Sequence, residues 1–380
     1  MSVRFLTREI GSLAKPSWRV KAFAGRPLDQ SDVEHASAWG TRLSVEGHEE
    51  LVELLSSGRS SEALADLDDW AARYAIRLLE HVGLDVVYDG EQKRTEMYDH
   101  VAAFAGGFEA RGIVRSFDNK YYAKAAVVEP PSVAGPQDVE EFEFVRAHTD
   151  RIVKVPLTGA YTIEDWSYDE HYGHEGGLGA SAEHRYEARR RFVHDVAARV
   201  IRPNVEGLVE AGAEWIQIDE PAATTKPDEV PLVVEGFNEA TRGVSAKKSM
   251  HICFSDYGAL WPAVLELEDC LELQLEFANR DSRELGTRAE DRPGYADTLA
   301  LFKEHGYPDV GLGVLDIHSD FVEPAELVRD RILFAVGVLG DPARIQVNPD
   351  CGLRTRSWEV VYEKLANMVQ GTRLAEDALG

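Results

Sequence analysis

The sequence predicts an α/β fold, a (β/α)8 barrel, from three observations. Apolar runs of β-type composition alternate with stretches of helical periodicity along the 380 residues, the pattern of parallel strands joined by crossover helices. No repeat, low-complexity tract or Pro/Ser-rich linker divides the chain. Three short strings bearing His251 and Cys253, Glu276, and Cys351 each close an apolar run. A barrel of parallel strands gathers such strand ends at one mouth.

In chain order, strands are predicted over 3–10, 84–88, 112–116 continuing towards 125–128, 152–155, 215–218, 249–253, 271–277, 310–315 and 344–347. These are nine runs, and a barrel needs eight. The 112–128 region, broken by Asp118-Asn119, reads as a hairpin and supplies the surplus. Apolar spacing of three and four predicts helices over 49–55, 63–81, 182–211, 294–305, 324–338 and 358–374. Asp68 and Asp69 are expected to cap the 70–79 stretch or charge its first turn. Helical material around 35–81 exceeds one crossover, so residues 1–380 are read as a single catalytic barrel with a helical insertion.

Composition narrows the function. The content is 44% hydrophobic, enough for a sizeable core, and no apolar run spans a bilayer. The N-terminus lacks a signal-peptide pattern. Three cysteines argue against a disulfide framework and for a reducing, cytoplasmic setting. A net charge of −26 repels nucleic acid and anionic membrane. The same acidity fits ordinary solubility or a high-salt cytoplasm, and it does not bear on the reaction.

One imidazole, one carboxylate and two thiols form a tetrahedral ligand set suited to zinc. In an extended strand His251 and Cys253 point to one face. Cys351 lies in a Pro-Asp-Cys-Gly turn that Gly352 lets bend back, and Glu276 ends an alternating run. Taken singly, a histidine is more often a core or surface residue, and a cysteine a small buried hydrophobe. For Cys270, which begins a run, that second reading holds.

The wording of the segments goes further than their spacing. Trp215-Ile-Gln-Ile-Asp219-Glu220-Pro221-Ala222, His251-Ile-Cys253, Asp316-Ile-His318-Ser319 and Asn348-Pro-Asp-Cys351-Gly-Leu-Arg-Thr-Arg356 resemble segments of cobalamin-independent methionine synthase. Glu9-Ile10-Gly11-Ser12, Asp89-Gly90-Glu91-Gln-Lys-Arg and Leu157-Thr-Gly…Asp165-Trp166-Ser167 resemble others, in the same order. The likeness is to the short form, the catalytic barrel alone. It implies a TIM barrel of the uroporphyrinogen decarboxylase/methionine synthase type and a zinc-dependent transfer of methyl to L-homocysteine. It also implies His251, Cys253, Glu276 and Cys351 as zinc ligands and His318 as the proton-donating histidine. Ile10, Gly11, Ser12, Glu91 and Asp219 would hold the amino-acid end. Zinc would keep the substrate sulfur deprotonated and nucleophilic.

The donor half departs from the family pattern. Folate-using enzymes carry an Arg-Cys pair where this chain reads Asp118-Asn119-Lys120-Tyr121-Tyr122, and Leu-Arg-Glu where it reads Ala223-Thr224-Thr225. Trp166 persists as a flat surface. Trp166, Lys120, Tyr121 and Thr225 therefore mark the methyl-donor region. The expected donor is a methylcorrinoid, free methylcobalamin or a corrinoid protein, with methyl-tetrahydrofolate as the alternative. A sister zinc methyltransferase acting on another thiol stays open, as does a non-catalytic zinc or corrinoid carrier.

Overall fold

A computed structural model describes residues 3–57, 64–115, 121–173, 177 and 179–380. Six strands form one all-parallel sheet, with Val155–Thr158, Trp215–Asp219, Lys247–Ile252, Cys270–Leu275, Asp309–Gly313 and Ile345–Asn348 in spatial order. Val86–Val87 pairs in parallel with Ile152–Val153, which continues past Lys154 into Val155–Thr158. The ring closes through Thr7 and Arg8, which bridge in parallel to Val347 and Val86 respectively. The result is an eight-stave parallel barrel.

The first stave is shorter than the predicted 3–10 strand, and the cause is local. Phe5 N–H donates to the Glu376 carboxylate at 2.7 Å and Leu6 N–H to the Gln346 side chain at 2.9 Å. Side-chain acceptors thus replace a continuous ladder, leaving two bridges. Cys253 and Glu276 sit just beyond their strands rather than within them, where a barrel's reactive groups belong.

The surplus element is an antiparallel hairpin, Gly106–Arg115 with Tyr121–Ser132. Lys120 and the Asp118-Asn119 break lie outside the described residues. The 182–211 helix is continuous but passes through a π-turn at Ala197–Ile201, between Ala182–Val196 and Arg202–Glu210. Asp68 and Asp69 do not cap a helix. The helix spans Leu64–Val82, and both are drawn off by cations: Arg19 Nε at 2.7 Å from Asp68, Lys93 Nζ at 2.5 Å from Asp69.

Gln30–Leu43, His48–Ser56 and Leu64–Val82 stack beside the C-terminal helix Trp358–Leu379. Edge-on aromatic pairs pack here: Trp39 on Trp358 at 5.5 Å, and Trp18, from the short helix Ser17–Phe23, on Tyr74 at 6.1 Å. Among the described residues, no helix is long and apolar enough to cross a membrane.

Candidate active site

At the C-terminal mouth of the barrel, His251 Nε2 lies 3.3 Å from Cys351 Sγ. One ligand atom each from His251, Cys253 and Cys351 falls within 4.8 Å of the others. His251 Nδ1 lies 3.0 Å from the Gln274 carbonyl oxygen. A carbonyl only accepts, so Nδ1 carries a hydrogen, and Nε2 is the nitrogen turned towards Cys351. Hydrogen bonding to Cys253 and the nearby imidazole hold the Cys351 thiol well below its ordinary value. The shared hydrogen bond and burial push Cys253 the other way. Burial opposes protonation of His251, but the charge and hydrogen bond of Cys351, with the charges of Asp219 and Glu276, together outweigh it and raise the imidazole to about 9. One imidazole nitrogen and two sulfurs converge on a point, one sulfur already favouring the thiolate. That donor set fits a zinc ion.

Glu276, the fourth expected ligand, stands beside this group and not within it. Its carboxylate accepts from the Phe254 N–H at 2.9 Å and Asn279 Nδ2 at 3.2 Å, and meets His318 Nε2 at 3.3 Å. That contact raises the His318 imidazole above its usual value. Cys270 is buried and apart from the cluster; its thiol donates to the Glu272 carbonyl.

The amino-acid residues line the same cavity as the thiols. Ile10, Gly11, Ser12, Glu91 and Asp219 all face it, as do His251, Cys253 and Cys351. Its empty space is about 800 Å³, counting the part open to solvent. Burial, helped by the Glu91 charge, raises the Asp219 carboxyl to about 7 against the pull of His251. Two acids so placed would gain from a cation between them. Glu91 holds left-handed backbone at φ 56, its N–H donating to Asp89 Oδ1 at 2.8 Å. Phe254 is also left-handed, at φ 53. Such strain collects where geometry must be fixed. Gly352 packs so closely that a Cβ there would lie 2.5 Å from Ser12 Oγ, which ties the Cys351 turn to the amino-acid segment.

The donor-region residues divide. Trp166 lines the cavity and stacks on Tyr122, ring centres 5.3 Å apart. Tyr121 is 61% exposed on the hairpin, and Thr225 is turned to the Ala222 carbonyl and Asp165; neither lines the cavity. Sequence reasoning missed Arg354 and Phe254, which do. Each follows a predicted ligand by at most three residues. The signal was therefore available: residues just past a ligand-bearing strand end share its mouth. Glu96 and Met97 also line it, with no comparable signal.

Fold and mouth together define an α/β-barrel enzyme. The sequence profile described as the cobalamin-independent synthase catalytic domain matches residues 46–374. A methionine synthase of Thermoplasma volcanium is 36% identical, covering 96% of each chain. One from Pyrococcus abyssi is 33% identical, over 98% of this chain and 93% of its own. A solved B12-independent methionine synthase from Shewanella sp. W3-18-1, in complex with selenomethionine, superposes with TM-score 0.71 at 22% identity and 99% coverage of both chains; at that identity the likeness is one of fold. The chain belongs to the cobalamin-independent methionine synthase family and is a methyltransferase.

Proposed function

We propose that the protein methylates the thiol of L-homocysteine to give L-methionine, with zinc bound at His251, Cys253 and Cys351 and Glu276 in reach as the fourth ligand. The observation that carries this reading is the meeting, in one cavity, of the imidazole–thiol cluster with Asp219 and Glu91. Bound zinc would supply Lewis acidity that keeps a substrate thiol deprotonated. Asp219 and Glu91 take the ammonium, and Ser12 with the Gly11–Ser12 backbone takes the carboxylate. These contacts point the side-chain sulfur of the substrate towards the cluster. Sulfur then displaces the donor, the S–CH3 bond forming as the donor–CH3 bond breaks and its electron pair stays with the donor. His318 is the acid for a donor whose leaving nitrogen needs a proton.

A methylcorrinoid is the proposed donor. Its support is the Ala223-Thr224-Thr225 departure and the position of Thr225 away from the cavity. Trp166 in the cavity wall favours the second reading, methyl-tetrahydrofolate, whose flat ring could lie against it. Zinc-loaded protein assayed with homocysteine and each donor in parallel tests both. Methionine from methylcobalamin alone supports the first reading and from methyl-tetrahydrofolate alone the second. No product from either, at low and high salt, overturns the assignment.

A further inference from the structure

Beneath the amino-acid contacts lies a buried polar pair that does not line the cavity described above. Lys154 and Gln217 are both fully buried inside the barrel. Lys154 Nζ lies 2.9 Å from the Glu9 carbonyl oxygen and 2.9 Å from that of Ile10, and it also meets Gln217 Oε1. An ammonium has three donors and no acceptor, and here three acceptors meet them. Its other surroundings are charged: Glu9, Asp219 and Glu272 attract it, and Arg8 repels it.

That full satisfaction fixes the neighbouring amide. Lysine can only donate, so Gln217 must offer it the carbonyl oxygen, and the amide NH2 then faces the opposite way. Gln217 Nε2 donates to the Ile10 carbonyl at 2.8 Å and to Asp219 Oδ1 at 2.7 Å. The Ile10 carbonyl thus accepts twice and is held inward, unavailable to a substrate. Asp219 has one oxygen engaged, while the other accepts no hydrogen bond from the described residues, and the side chain lines the cavity.

We infer that Lys154 and Gln217 are positioning residues that together aim the free oxygen of Asp219 and the Ile10–Ser12 backbone at the amino-acid end of the substrate. They set discrimination for a ligand carrying an α-ammonium without touching it. A buried ammonium is costly unless every donor is met. Packing alone would be served by an apolar side chain, whereas Lys154 spends two of its three bonds on the segment leading to Ser12. The inference rests on the amino-acid reading of the cavity given above.

Product-side ligands test it independently of turnover and donor. Binding of L-methionine and of 4-(methylthio)butanoate, the same molecule without its ammonium, is measured by calorimetry on zinc-loaded wild type, Gln217→Met and Gln217→Glu. Gln217→Met removes all three of the amide's contacts. Gln217→Glu keeps an acceptor for Lys154 but has no NH2 for Asp219, and it guards against a folding failure of the first variant. Wild type is expected to prefer methionine by about 10-fold or more, as a charge-assisted hydrogen bond allows. Both variants should bring that ratio towards one, with affinity for the butanoate changed by less than about threefold. A wild-type ratio retained in either folded variant overturns the inference alone. Wild type that binds both ligands equally overturns the amino-acid reading, and the inference falls with it.

Discussion

Asp350 Oδ2 accepts the backbone N–H of Asn279 at 2.7 Å, and Asp350 Oδ1 accepts those of Phe277 and Ala278 at 2.9 Å each. One carboxylate on the turn before Cys351 thereby holds the three residues after Glu276. The two loops that carry these groups cannot move independently. Asp350→Ala should therefore weaken zinc binding about 10–100-fold, the range seen when groups supporting a metal ligand are lost. Competition with a chromophoric chelator measures this, and unchanged affinity would show that the loops hold their places without the carboxylate.

Cys351→Ser should lose zinc and methyl transfer together. A serine hydroxyl is a poor substitute for a thiolate, the form the cluster already favours at this position. Metal content by elemental analysis beside the rate is the check. Full activity in the variant would remove Cys351 from the ligand set.

Glu9 offers a pH test away from the thiols. Burial raises its carboxyl from 4.5 to about 7, partly offset by Lys154. Between those values the folded protein retains a proton that the unfolded chain has lost. The folded state then binds more protons, so this group's contribution to stability falls as pH climbs through the window. Glu9→Gln should melt higher than wild type above pH 7, the gap closing towards 4.5. A gap that stays constant across the window would refute the assigned shift.

Asp281 is fully buried between two guanidinium groups, 2.5 Å from Arg292 Nη1 and 3.0 Å from Arg331 Nε. Asp281→Ala leaves both cations without their shared anion, and the expected loss is about 3–5 kcal/mol. Urea denaturation would read it as a lower midpoint. An unmoved midpoint would mean that Glu323, 3.8 Å from Arg331, or water takes over the pairing.

The barrel strands from 84–88 onward were legible because a strand buried on both faces reads as an apolar run. The imidazole–thiol triad was legible because its members close such runs. Thr7 and Arg8 were harder to bound, since bonds from Glu376 and Gln346 end the pairing and no local signal announces them. Asp68 and Asp69 look like caps in sequence, yet Arg19 and Lys93, which claim them, come from distant positions. The polar barrel interior was illegible for a different reason. Lys154, Gln217 and Glu272 alternate with apolar neighbours as solvent-facing residues do, and Arg8 stands between Thr7 and Glu9, but the closed ring turns them inward. Tyr121 and Thr225 were assigned by segment alignment alone, which is blind to a hairpin that carries a side chain outwards.

Of the two bridges that close the barrel, Thr7–Val347 joins residues 340 positions apart, and the Arg8 side chain reaches Asn348 across the same span. Loops of that length close late, after the local crossovers have formed. During synthesis, Ile10–Ser12 is made before Cys351. The thiol pair cannot be assembled until the Cys351 turn is made. Closure of the ring is the step that sets the Cys351 turn against Ser12: a fragment ending before Ile345–Asn348 holds Ser12, Glu91, Asp219 and the Cys253 thiol in its sequence but lacks the second thiol of the cluster.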